Sequence, residues 1–114
     1  MQYLLLIYEN ESATPPIAPD QMFREYTEYT ASIKASGNLR GGDALEPTTK
    51  ATTVRVREGK TMTTDGPFAE TREQLGGYYL VEAADLDEAI KLAGRIPSAR
   101  WGSIEVRPVM VFGP

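Results

Sequence analysis

Gln2-Tyr3-Leu4-Leu5-Leu6-Ile7-Tyr8 decides how this chain folds. In a strand, alternate side chains point to opposite faces, so Tyr3, Leu5 and Ile7 share one face and Leu4, Leu6 and Tyr8 the other. Both sets are apolar. A strand with one face in water alternates apolar and polar residues, whereas a strand covered on both sides reads as an unbroken apolar run. Gly77-Tyr78-Tyr79-Leu80-Val81-Glu82 has the same two-sided character.

Helices supply the first cover. Asp20 is a credible N-cap for a helix running to about Ser36, with Gly37 beyond its end. Met22, Tyr26, Tyr29 and Ile33 fall at 4-3-4 spacing and form one apolar stripe, opposite Arg24, Glu25, Glu28 and Lys34. Asp85-Leu86-Asp87-Glu88 opens a second helix through a capping box, with its acidic residues at the positive end of the dipole. Leu86, Ala89, Ile90 and Ala93 are its expected core face, and Pro97 stops it. Asn38–Pro47 reads as extended but irregular, Thr52–Arg57 and Thr61–Thr64 as a hairpin turned by Glu58-Gly59-Lys60, and Ser103–Val109 as the closing strand. The order β-α-β(β)-β-α-β fits an α+β, ferredoxin-like split βαβ sheet with an extra hairpin.

Two helices cover one face of such a sheet and no more. Leaving four to six large side chains bare on the other would forgo roughly 1.5–3 kcal/mol each, against a whole-domain stability of about 5–15 kcal/mol. The simplest cover is a second copy of the chain, related by a two-fold axis.

Thr64-Asp65-Gly66-Pro67-Phe68-Ala69-Glu70-Thr71-Arg72-Glu73-Gln74-Leu75-Gly76-Gly77-Tyr78 is too specialised for an ordinary connector. Asp65 can start a turn, but Pro67 lacks an N–H, disfavours a two-residue hairpin and pushes Gly66 toward an extended conformation. A rigid loop is expected, with Phe68 as the apolar group that pins it to the body. Gly76-Gly77 permits a bulge or a close backbone approach.

Asp65-Gly66-Pro67-Phe68-Ala69-Glu70-Thr71-Arg72-Glu73 followed by Leu75-Gly76-Gly77-Tyr78-Tyr79 resembles the signature of the DGPF domain family of YCII-related proteins. The likeness extends over nearly the whole chain and implies one domain over residues 1–114, pairing as a dimeric α+β barrel. Some YCII-related proteins use a His–Asp pair, linked to dehalogenation or lyase-type chemistry on small aromatic compounds, with the His on the first helix. Here that region is Arg24–Tyr29, and the chain has no His. DGPF-type domains also resemble proteins encoded beside, or fused to, sigma-factor-like regulators.

The 114 residues suffice for one core and are too few for two. A net charge of −4 with scattered basic residues argues against nucleic acid as a partner. The absence of Cys and His excludes disulfides, thiol nucleophiles, Ser-His-Asp catalysis and His- or Cys-based zinc sites. Leu4-Leu5-Leu6-Ile7 is far shorter than the roughly 20 residues of a membrane span, so a cytoplasmic location is expected. Asp85, Asp87 and Glu88 are explained by a helix start without a metal, and no cofactor motif occurs.

Acid–base candidates are therefore Asp65, Glu70 and Tyr26, with Gly66, Pro67, Phe68, Arg72 and Arg107 as ligand-binding candidates. Each also has a structural reading: Asp65 as turn cap, Phe68 as core plug, Glu70 and Arg72 as an exposed ion-paired segment, Tyr26 as core packing. Arg55, Arg57, Glu105 and Arg107 either enter a covered polar cavity or mark solvent-facing edges. The expectation is a homodimer that binds a small polar or aromatic compound, with lyase- or isomerase-type carboxylate chemistry. The alternative is a non-enzymatic regulatory module that partners a sigma-factor-like regulator.

Overall fold

The computed structural model describes residues 1–113. Its elements are β1 (Gln2–Glu9), α1 (Pro19–Ala35), β2 (Leu39–Ala44), β3 (Thr52–Arg57), β4 (Lys60–Asp65), β5 (Gln74–Glu82), α2 (Leu86–Gly94) and β6 (Ser103–Pro108), with short 3-10 turns at Thr48–Lys50 and Pro97–Arg100. Strands β2-β5-β1-β6 form one antiparallel sheet in that order, and β3-β4 form a separate two-stranded ribbon. Two helices on one face of a four-stranded sheet give the ferredoxin-like α+β arrangement.

The alternation in β1 sorts as its sequence demands. Tyr3, Leu5 and Ile7 are buried under the helices with Val81, Tyr29, Ile33, Ala89, Leu92, Ala93 and Ile96. Leu4, Leu6 and Tyr8 face the other way, in register with Leu80 and Tyr78 of β5 and with Arg107, Glu105 and Ser103 of β6. They are only half-buried, because nothing in the single chain lies over that face.

Helix α1 starts two residues earlier than expected. Ala18 is the N-cap and Pro19 the first helical residue, with Asp20 inside the first turn rather than capping it. Proline suits that position because its missing N–H has no intrahelical partner there and its φ is already helical. At the other end Gly37 takes φ +81°, and Gly37 N and Asn38 N donate to the Lys34 and Ile33 carbonyls, the Schellman ending its sequence implies. Helix α2 is capped by Asp85, which accepts from Glu88 N at 2.9 Å, while Glu88 reaches back to Ala84 N. Its inner face is Ala89, Leu92 and Ala93, whereas Leu86 and Ile90 are half exposed. The small alanines let this short helix lie close to the sheet, so the larger residues are displaced to its flank.

Asp85→Ala is expected to remove about 1 kcal/mol of stability, because Glu88 N loses its acceptor. Urea unfolding would measure this. An unchanged midpoint would show that the cap adds nothing.

The β3-β4 hairpin turns through Glu58 at φ 52° and Gly59 at φ 76°, both left-handed, as a two-residue primed turn requires. The Val54 and Val56 face of this ribbon is open, with the two valines 59% and 58% exposed, while Thr53 and Arg55 on the other face are half-buried. The whole molecule measures 47 × 46 × 18 Å with a radius of gyration of 16.2 Å, against about 13 Å for a compact chain of this length.

Candidate functional site

A cleft opens between α1 and strands β2 and β5. Small residues create it. Gly42 and Ala44 of β2 alternate on the helix side, opposite Tyr79 and Gly77 of β5. A side chain at Gly42 would meet the Tyr79 ring at 2.9 Å and Tyr78 O at 2.8 Å, so this glycine makes room for the tyrosine. Gly76 is the extra residue of a bulge in β5, since Ile7 pairs with Gly77 and Tyr8 with Leu75. The resulting cleft has a volume of about 340 Å³.

Apolar walls come from Ile7 and Met22, and aromatic ones from Tyr26 and Tyr79. Three hydroxyls and one carboxylate reach it. Thr30 Oγ1 and Tyr79 OH are 2.7 Å apart, and Tyr26 OH is hydrogen-bonded to the fully buried Ser98 Oγ. Glu9 Oε1 accepts from Trp101 Nε1 at 2.6 Å. Burial pushes the Tyr26 phenol above its ordinary pKa, the bond to Ser98 opposes this, and the charge on Glu9 adds to it. Tyr26 is thus held in its protonated form. Deeper in the core Tyr29 is also raised, chiefly by burial, and donates to Leu92 O at 2.7 Å while meeting Tyr79 edge-on. Asp43 and Tyr78 lend main chain to the cleft, but their side chains turn to the open face. There Tyr78 OH donates to Asp43 Oδ2 at 2.6 Å, which raises the Tyr78 pKa.

The other residues singled out from the sequence lie elsewhere. Gly66, Pro67, Glu70 and Arg72 border a polar groove of about 460 Å³ with Glu11, Thr48 and Gln74. Glu11 accepts from Thr48 N and Thr48 Oγ1 and so ties the β1 exit to the Thr48–Lys50 turn. Asp65 ends β4 opposite Thr52, exposed. Phe68 is 77% exposed and pins nothing. The loop is held instead by polar bonds: Gly66 N to Ala51 O at 2.7 Å, Thr53 Oγ1 to Gly66 O at 2.8 Å, and Arg55 Nη2 to Phe68 O at 3.4 Å. Gly66 takes φ +97°, not the extended conformation expected before proline, because it reverses the chain at the ribbon base. Arg107 and Glu105 stand on the open sheet face, with Tyr8 OH 3.4 Å from Glu105. Arg55 and Arg57 belong to the ribbon and do not reach the sheet. Tyr26 alone of the acid–base candidates enters the cleft.

The sequence pattern of the YCII-related domain matches residues 1–113. The chain belongs to the YCII-related family. An uncharacterised protein of Rhizobium meliloti (strain 1021) is 39% identical over 119 residues, covering 100% of this chain and 96% of that protein. In this YCII-related chain no described helix is long and apolar enough to cross a membrane, and no cluster of three metal-ligating side chains occurs among the described residues.

Sequence reasoning missed Glu9, the last residue of β1. Its signal was available in this YCII-related sequence: continuing the β1 alternation puts Glu9 on the face of Tyr3, Leu5 and Ile7, a lone carboxylate on an apolar face. Its partner Trp101 lies 92 residues away and no local pattern links them.

Proposed function

We propose that this protein is a homodimer that binds a small polar or aromatic molecule in the cleft between α1 and strands β2 and β5. The observation that carries this reading is the cleft itself: apolar walls, three hydroxyls and one anchored carboxylate converge on a space within the ~300–1,000 Å³ usual for small ligands. Tyr26 keeps its proton and acts as donor, and Glu9 acts as acceptor. Such a pair suits proton transfer of lyase or isomerase type. The Asp65-Gly66-Pro67-Phe68 signature supports membership of the DGPF branch.

Pairing is supported by Leu4, Leu6, Tyr8, Tyr78 and Leu80, a contiguous apolar strip on the open face, and by the flat shape of the single chain. A second copy laid across this strip produces the dimeric α+β barrel. Exposed Val54, Val56, Met62 and Phe112 also favour a second reading, a docking module for another protein such as a sigma-factor-like regulator.

Thermal-shift screening with small phenols and aromatic carboxylates and amines tests the cleft. A ligand at ten times its Kd adds about 1.4 kcal/mol, roughly 5 °C for a chain of this size. Ala44→Phe, which fills the cleft from the exposed β2 edge, is expected to abolish the shift and leave the unliganded melting temperature within about 1–2 °C. A shift that survives Ala44→Phe would place binding elsewhere.

A further inference from the structure

The charge in the cleft is one-sided. Of its lining residues only Glu9 and Asp43 bear acidic side chains, and Asp43 is turned away toward Tyr78. No Lys or Arg borders the space. Glu9 is half-buried, one oxygen is held by Trp101 Nε1, and among the described residues it forms no ion pair. Arg100, beside Trp101, is already engaged: it stacks 5.1 Å above the Trp101 ring and pairs with Glu25. A carboxylate in partly apolar surroundings with a free oxygen and no counter-charge draws a cation.

The walls suit the rest of such a molecule. Tyr26 and Tyr79 present aromatic rings, whose faces attract ammonium groups, and Ile7 and Met22 offer apolar contact. The phenols are neutral donors and acceptors and add no competing charge. The overall charge of −4 favours the approach of cations and disfavours anions.

We propose that the cleft takes a small organic amine, its ammonium group on the free oxygen of Glu9 and its apolar or aromatic body against Ile7, Met22 and the tyrosine rings. This deepens, and rests on, the assignment of the cleft as the binding site. Anionic aromatic compounds are the class it rejects.

Three probes of one shape and different charge test it: benzylamine, benzyl alcohol and benzoate. Trp101 is the sole tryptophan and touches the recognising carboxylate, so its emission reports binding directly. Benzylamine is expected to bind on the order of tenfold more tightly than benzyl alcohol, with benzoate weakest. Its affinity falls with added KCl while that of the alcohol does not. In Glu9→Gln, which keeps an oxygen acceptor for Trp101 Nε1, the preference for benzylamine over benzyl alcohol is lost. Equal binding of amine and alcohol to the wild type overturns the amine assignment and leaves the cleft standing, as does an amine preference that survives Glu9→Gln. The KCl comparison decides the matter on wild-type protein if Glu9→Gln does not fold. If none of the three binds at millimolar concentration, the cleft reading and the amine assignment fall together.

Discussion

Leu5→Ala is expected to lower the free energy of unfolding by about 3–4 kcal/mol. Leu5 is 0% exposed at the centre of β1, which itself lies between β5 and β6 beneath the helix layer. Strands on both sides and helices above fix the surrounding backbone, so the site cannot collapse around the missing atoms and a cavity remains. Against a total of about 5–15 kcal/mol this is a large fraction. Leu4→Ala on the neighbouring residue removes the same atoms from a half-buried position on the open face, and its cost in the isolated chain is about 1 kcal/mol. Urea titrations of both variants, compared at equal m, separate the two faces of one strand. Equal losses at dilute concentration would contradict the assignment of inner and outer faces.

Leu80→Lys is expected to act oppositely, with little effect on the fold and a large one on association. Leu80 sits on the open face between Leu4 and Gly41, with no acidic residue directly across from it. In the free chain the lysine ammonium reaches water, and the stem covers part of the surface that leucine covered. Across the proposed two-fold interface the substitution enters twice and buries two lysine ammonium groups. A loss of about 2 kcal/mol per copy raises the dissociation constant on the order of 100- to 1,000-fold. If the chain pairs as proposed, light scattering reports twice 12.6 kDa for the wild type and 12.6 kDa for the variant. A wild type that is already monomeric at micromolar concentration would remove the pairing proposal, and a Leu80→Lys dimer would move the interface off this face.

Much of the fold was legible because its signals are local. The alternation of β1, the Asp85 cap, the Glu58-Gly59 turn and the Gly37 helix ending each depend on residues within one or two turns of each other. The misreadings have a common cause. Pro19 outweighed Asp20 as the determinant of the α1 start, and the alanine face of α2 outweighed the larger Leu86 and Ile90, because packing distance and backbone preference override side-chain character. Phe68 looked like an anchor by size, yet its direction depends on where the ribbon base stands, which short-range patterns do not carry. The candidate site was legible only through Tyr26, whose place on the α1 stripe follows from helical spacing. Glu9, Trp101 and Ser98 join it through contacts spanning 72 to 92 residues of sequence.

The β3-β4 ribbon has a consequence for how the molecule comes apart. Its strands bond to each other, outside the larger sheet, and β4 is exposed along its whole length. Opening it exposes almost no additional apolar area, so amide protons there exchange through excursions far smaller than global unfolding. The chain thus behaves as two cooperative units: a tightly protected sheet-and-helix body, and an arm that a protease could nick near Glu58 while the body stays intact.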